Sequence, residues 1–166
     1  YEGQYSYRAR TPMKLRSSFA YILNYQGAIN IDFEYVDFKR GQLNPSLESF
    51  DGYNFALENN EVRTQFRSVI NTRIGFEYML LRDLFIRAGY ALLPQPYKKS
   101  IGNVTTQNQT FAVGFGWKIK NFHLDFGYRA LNLNYDYYGF DPSQIENRTE
   151  FKSWLHNVVF TFSSTF

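Results

Sequence analysis

Apolar and polar residues alternate with period two along most of this chain, the pattern of strands with one greasy and one wet face. From Met13 to Leu23, Leu15, Ser17, Phe19, Tyr21 and Leu23 share one face, and Lys14, Arg16, Ser18 and Ala20 the other. Ala28 to Lys39 is the clearest case, with Ile29, Ile31, Phe33 and Tyr35 against Asn30, Asp32 and Glu34. Arg67 to Tyr78 sets Ile70, Thr72, Ile74, Phe76 and Tyr78 against Arg67, Asn71, Arg73 and Glu77. Leu84 to Leu92 follows, with Ile86, Ala88 and Tyr90 against Arg87 and Gly89. Thr110 to Ile119 opposes Phe111, Val113, Phe115 and Trp117 to Ala112, Gly114 and Gly116. Phe122 to about Tyr135 opposes Phe122, Leu124, Phe126 and Tyr128 to His123, Asp125, Gly127 and Arg129. The last stretch, Trp154 to Phe166, interleaves Trp154, Val158, Phe160 and Phe162 with Asn157, Thr161, Ser163 and Thr165. These predict seven strands. Tyr1 to Arg10 alternates weakly and is a candidate eighth, ending at Pro12, which suits a strand entrance or rim.

The breaks between strands fall into two kinds. Asn24–Gly27, Leu81–Asp83 and Lys120–Asn121 are short. The stretches near 41–61, 93–109 and 136–150 are long, and ALENNEV in the first has the composition of a helical turn. Short and long alternate, as they do in bacterial outer-membrane barrels, with short turns on the periplasmic side and long loops outside. The closing strand then ends at the periplasm. Tyr21, Tyr78, Tyr90 and Trp117 are expected near strand ends, where an aromatic girdle would lie.

Composition sharpens this. Of 166 residues, 14 are Tyr and 17 are Phe, yet mean hydropathy is −0.43. No run approaches the roughly 18 apolar residues of a membrane helix. A polar average with heavy aromatic loading fits a barrel whose lipid-facing and lumen-facing residues cancel. A soluble sandwich also alternates, but its core favours Val, Ile and Leu over so many Tyr. The absence of Cys excludes disulfides, thiol catalysis and thiolate metal sites. A formal charge of +3 is too small to imply nucleic acid. The chain opens at Tyr1 without Met or signal peptide, as expected of a processed or partial chain. The fold class expected is therefore all-β: an antiparallel transmembrane β-barrel of the bacterial outer membrane, with seven to eight strands. Periodicity leaves two architectures open, a small eight-stranded barrel or part of a larger one.

Several strings in order bear on that choice: RTPMKLRSSFAYIL (10–23), INIDFEYVDFKRGQL (29–43), ALENNEVRTQFRSVINTRIGFEYML (56–80), IRAGYALLPQPYKKS (86–100), FAVGFGWKIKNFHLDFGY (111–128) and VVFTFSSTF (158–166). Together they resemble the Bacteroidota branch of the FadL/TodX-type outer-membrane transporters, over nearly the whole chain. The resemblance implies a fourteen-stranded barrel with a hatch in its lumen. Residues 1–166 would then be the C-terminal part of one barrel domain, roughly its second half. The implied function is transport of hydrophobic small molecules across the outer membrane. The alternative is a FadL-like barrel recruited as a scaffold or shuttle in a larger outer-membrane secretion or assembly complex. The family's gating parts would lie outside this chain, so no gating residue carries over.

No catalytic constellation stands out, so neither an enzyme nor a cofactor or metal is expected. There is no G-x-S-x-G and no P-loop. His123 and His156 fall on different strands, His156 on the lipid-side register. His123 reads as a hydrogen-bonding group of the lumen rather than a ligand. FDGYNF has one clear acid, too few for calcium. The lumen-facing candidates on the first strands are Lys14, Arg16, Asp32 and Glu34. Those further along are Arg67, Arg73, Glu77, Arg87, His123, Asp125 and Arg129, with Asn30, Asn71 and Asn157 beside them. The plainer reading of this set is a salt-bridged, hydrated interior; the functional one is a polar path or a docking surface. In the loops, Phe50, Tyr53 and Phe55, then Leu92, Leu93, Pro94, Pro96 and Tyr97, then Tyr137, Tyr138 and Phe140 are apolar and expected to lie outside. They either capture a greasy substrate or partner, or pack on one another. Expected partners are outer-membrane lipid and lipopolysaccharide, whose phosphates Lys98 and Lys99 could meet. A hydrophobic small molecule and an envelope protein complex complete the expected partners. The N-x-[ST] triplets at 103, 108 and 147 are chance in that setting.

Overall fold

A computed structural model describes residues 6–46, 53–98, 107–138 and 148–165; of these, the side chains at 135–138, 148 and 150 are outside the description. The chain is all-β with one helix. In order it forms β1 (Tyr7–Arg10), β2 (Met13–Leu23), β3 (Gly27–Asp37), a 3₁₀ turn (Phe38–Arg40), β4 (Gln42–Pro45), α1 (Ala56–Gln65), β5 (Ser68–Leu81), β6 (Leu84–Pro94), β7 (Gln107–Ile119), β8 (Phe122–Tyr138) and β9 (Arg148–Ser164). β2, β3, β5, β6, β7, β8 and β9 make one antiparallel sheet in that order. Every neighbour in it is also next in sequence apart from the β4–α1 insertion, so the sheet is a meander.

Three expectations need correcting. The candidate eighth strand does not join this sheet: Tyr7–Arg10 pairs with β4 in a separate two-stranded ribbon. Among the described residues β2 and β9 therefore pair on one side only, and seven strands do not close a barrel. The third long connection is shorter than the sequence implied, because the β8–β9 ladder continues to Tyr138↔Arg148. Tyr137 and Tyr138 thus belong to a strand rather than a loop, as do Leu92, Leu93 and Pro94 at the end of β6. Tyr90 lies inside β6, paired with Ile74 and Phe111, and not at a strand end.

The short turns explain themselves locally. Asn24 and Tyr25 take φ of 44° and 59°, and the Gln26 N–H donates to Leu23 O at 2.8 Å. Two consecutive left-handed residues match the twist of a hairpin, and Asn bears that geometry well. Lys120 takes φ 52° in the third turn. This end of the sheet is laced across the turns: Met79 N donates to Gln26 O, Lys118 N to Asp83 O and Thr165 N to Asn121 O, at 2.6, 2.8 and 2.9 Å.

The register is staggered. The row through Leu23↔Gly27 runs on through Tyr78 and Ile86 to Phe115. The third turn closes at Ile119↔Phe122, four residues further along β7 and four strands across from the first. One residue per strand, at about 3.4 Å rise and 4.8 Å spacing, is a tilt of about 35°.

The two faces differ in composition. Nine-residue windows Leu15–Leu23, Ile70–Tyr78, Phe111–Ile119, Phe122–Ala130 and Trp154–Phe162 present an apolar face on which Ser17, Thr72 and His156 are the polar residues besides tyrosine. Eight steps of about 3.4 Å at that tilt make a band about 22 Å tall. Phe19, Phe33, Ile74, Phe115, Val158 and Phe160 in it are exposed, whereas among the described residues Val36, Phe55, Val69 and Ala130 are the buried hydrophobic side chains. The core is thus small and lies chiefly at the long-connection end, where Val36 and Val69 face each other in register. Near them the β1–β4 ribbon, the 3₁₀ turn and α1 form a small unit. Asn59 in α1 both accepts from Leu43 N and donates to Leu43 O, each at 2.8 Å, standing in for a strand along the open edge of β4. α1 is longer than the helical turn expected from ALENNEV. No helix of the described residues is long and apolar enough to cross a membrane.

Candidate functional site: the polar face of the sheet

The alternation in register places the charged candidates on one face. In β2 and β3 the polar face carries Lys14, Arg16, Asp32 and Glu34; across β5 to β8 it carries Arg73, Glu77, Arg87, His123, Asp125 and Arg129. Arg67 stands just ahead of β5 at the long-connection rim, where its Nε donates to Gln95 O at 3.1 Å.

The structure gathers six of these candidates and Asn71 into two clusters. Glu34 is buried, 6% exposed. Its Oε1 lies 2.6 Å from Arg16 Nη2, and its Oε2 accepts from Asn71 Nδ2 at 3.0 Å and faces Arg73 Nη2 at 3.5 Å. The cause is the ladder: Arg16, Glu34 and Asn71 occupy one row across three strands. A buried carboxylate is tolerated when paired and hydrogen-bonded, as here. In the second cluster Arg87 bridges two acids, with Nε 2.5 Å from Glu77 Oε2 and Nη1 2.6 Å from Asp125 Oδ1. The one cluster carries an excess cation and the other an excess anion.

Lys14, Asp32, His123 and Arg129 make no ion pair among the described residues. His123, expected to hydrogen-bond in the interior, has no side-chain hydrogen bond among them; it sits at the short-turn end between Lys118 and Ser163 in register. Beside Arg129 lies an open hollow of 580 Å³ floored by Gly89, Ala112, Gly114 and Gly127, with Asn157 and Val159 at its side. Nothing lies within 4 Å of where a Cβ on Gly127 would be. Those glycines were legible as inward positions, but that their lack of side chains makes one continuous floor appears only from the register.

Two of the loop candidates, Tyr53 and Phe55, pack on each other. Phe55 is buried rather than external. Its ring centroid lies 5.0 Å from Tyr53 and 6.1 Å from Tyr7. Tyr97 packs on Phe66 at 4.8 Å, and Pro96 O accepts from Arg67 N. Pro94 closes β6 opposite Gln107. Phe50, Phe140 and Lys99 lie outside the described residues, as do the side chains of Tyr137 and Tyr138. Around the first of these groups, Tyr53 Oη also donates to Glu58, which holds the Glu58 carboxyl below the usual carboxylate range.

No group of three or more His, Asp or Glu among the described residues could hold a metal ion. Sequence reasoning missed one polar arrangement, on the other face: Tyr128 Oη lies 2.7 Å from His156 Nδ1. An imidazole in a lipid-side register was the signal for it. Neither a protein-family model nor a curated protein matches the chain.

Proposed function

We propose that this sheet is part of the wall of a bacterial outer-membrane β-barrel of the FadL/TodX type, which carries hydrophobic small molecules across the outer membrane. The observation that carries the reading is the exposed apolar face, about 22 Å tall and tilted about 35°, against a band of about 25 Å and tilts of 35–45° in membrane barrels. A water-soluble sheet would bury such a face. The segregation of short turns from long connections supports the same reading, and gives the side with α1 to the exterior. In this reading β2 and β9 pair with further strands of the same barrel, since an open edge is not tolerated in lipid. The polar face then lines the lumen, and the glycine-floored hollow beside Arg129 is open space in it. The function has no chemical step, cofactor or metal; lipid and lipopolysaccharide surround the wall.

A second reading, a scaffold or shuttle subunit of an envelope complex, is favoured by the β8–β9 ribbon. Its ladder runs six pairs beyond Asn132↔Trp154 to Tyr138↔Arg148; among the described residues Asn134 is the last of these held to β7, by Asn108 Oδ1 and Gln107 O. A two-stranded ribbon is marginal alone, so it invites a partner. Uptake of a fluorescent hydrophobic compound into proteoliposomes separates the two. Transport predicts protein-dependent accumulation inside; accumulation equal to empty liposomes, with other envelope proteins copurifying in fixed ratio, contradicts transport and favours the scaffold.

A further inference from the structure

The second short turn borders a hollow on the apolar face. The β5–β6 pairing shifts register between Met79 and Leu81, so that Leu81 stands opposite Leu84. Residues directly opposite each other share a face. The bulge therefore brings Leu81 beside Leu84, whose partner on the other side is Trp117. With Arg82 and Asp83 of the turn, these three line an open hollow of 590 Å³. Leu81 and Trp117 are 65% and 50% exposed. The Lys118 N–H donates to Asp83 O at 2.8 Å, which ties the turn to β7 at the rim of the hollow.

The charge at this rim has one sign in excess. Arg82, Asp83 and Lys120 are the charged residues of the three short turns. None of them makes an ion pair among the described residues. Arg82 follows four residues after Tyr78, and Lys120 directly after Ile119, where the apolar windows of β5 and β7 end. The Leu84↔Trp117 pairing sets the two turns on neighbouring strands, with the backbones of Arg82 and Lys120 about 10 Å apart. Both side chains are long enough to converge on one group between them. With Asp83 counted, the rim keeps a single net positive charge, the complement of one phosphodiester. A Trp ring with cations just beyond it suits the border where acyl chains give way to phosphates.

We infer that Leu81, Arg82, Leu84, Trp117 and Lys120 form a binding site for one anionic phospholipid of the leaflet on the short-turn side. Its phosphate accepts from Arg82 and Lys120, and an acyl chain lies along Trp117, Leu81 and Leu84. The inference rests on the membrane reading above. It is distinct from transport, because the site faces lipid.

The test uses the full protein in nanodiscs of equal phosphatidylcholine and phosphatidylglycerol, re-extracted in mild detergent and weighed by native mass spectrometry. Wild type keeps one lipid, enriched in phosphatidylglycerol. Arg82→Gln lowers that enrichment about fivefold, the effect of one cation at an anionic membrane surface. Arg82→Gln with Lys120→Gln removes the preference. Arg8→Gln makes the same change of charge in β1, at the long-connection end, and leaves the preference as it is. Equal enrichment in wild type and the double variant would overturn the site while leaving the barrel intact. So would a loss in Arg8→Gln as large as in Arg82→Gln, because net charge would then explain the binding. A protein that fails to enter nanodiscs would overturn both the site and the membrane reading.

Discussion

Arg87 and Asp125 meet across an intervening strand, Nη1 to Oδ1 at 2.6 Å, over the bare backbone of Gly116. A Cβ at Gly116 would come 2.6 Å from Asp125 Oδ1 and 3.2 Å from Arg87 Nη1. The ion pair exists because β7 has no side chain at that position. Gly116→Ala should displace it and cost about 0.5–1 kcal/mol, the upper range for an ion pair between partly exposed side chains. Gly127→Ala, which meets open space, should stay within about 0.5 kcal/mol. Equilibrium urea unfolding of the two variants measures the difference; equal costs would contradict the bridge.

Glu34 draws Arg16, Arg73 and Asn71 to one buried carboxylate. Glu34→Gln keeps the shape but leaves two guanidinium groups without their acid. The expected loss is about 1–3 kcal/mol. Lys14→Gln, one row away with no ion pair, should change stability by less than about 0.5 kcal/mol. The same unfolding titration decides.

Asn59 joins α1 to the backbone of Leu43 by two hydrogen bonds of 2.8 Å. Asn59→Ala should leave both backbone groups of Leu43 without that partner, at about 1–2 kcal/mol. The effect is confined to the β1–β4 ribbon and α1. Hydrogen exchange should show the Leu43 amide losing protection while the sheet amides keep theirs. Loss of protection across the sheet would contradict this local role.

Most of the sheet could be read from period-two alternation, because strands with one apolar and one polar face write their geometry into the sequence. Faces were legible for Arg16, Glu34 and Asn71, but their meeting was not. It depends on which rows align across β2, β3 and β5, and alternation alone leaves the register open to steps of two. β1 and β4 were hidden for a different reason. QLNP in β4 is polar and ends in Pro, so the partner of Tyr7–Arg10 carried no strand signal. Tyr137 and Tyr138 read as loop because they stand beside Gly139 and Pro142 in a polar stretch. The burial of Phe55 was invisible because it depends on Tyr7, distant in sequence, folding back on it.

Val158 and Val159 are adjacent, both exposed, and on opposite faces. In a bilayer, Val158→Arg sets a charge at the centre of the apolar band and should cost roughly 2–4 kcal/mol of folding stability. Val159→Arg points into the hollow beside Asn157 and should cost under about 1 kcal/mol. Unfolding of both in lipid vesicles checks the order; a larger cost at 159 would reverse the assignment of faces.

The most direct measurement exploits the absence of cysteine from these 166 residues. Single cysteines are placed in turn from 157 to 162 in the full protein, which is spin-labelled and reconstituted in lipid bilayers. Collision with oxygen, which concentrates in lipid, is compared with collision with a water-soluble nickel chelate. Labels at 158, 160 and 162 should favour oxygen, and those at 157, 159 and 161 the chelate, with a period of two. Uniform access to the chelate on both parities would contradict the claim that this sheet is a membrane wall.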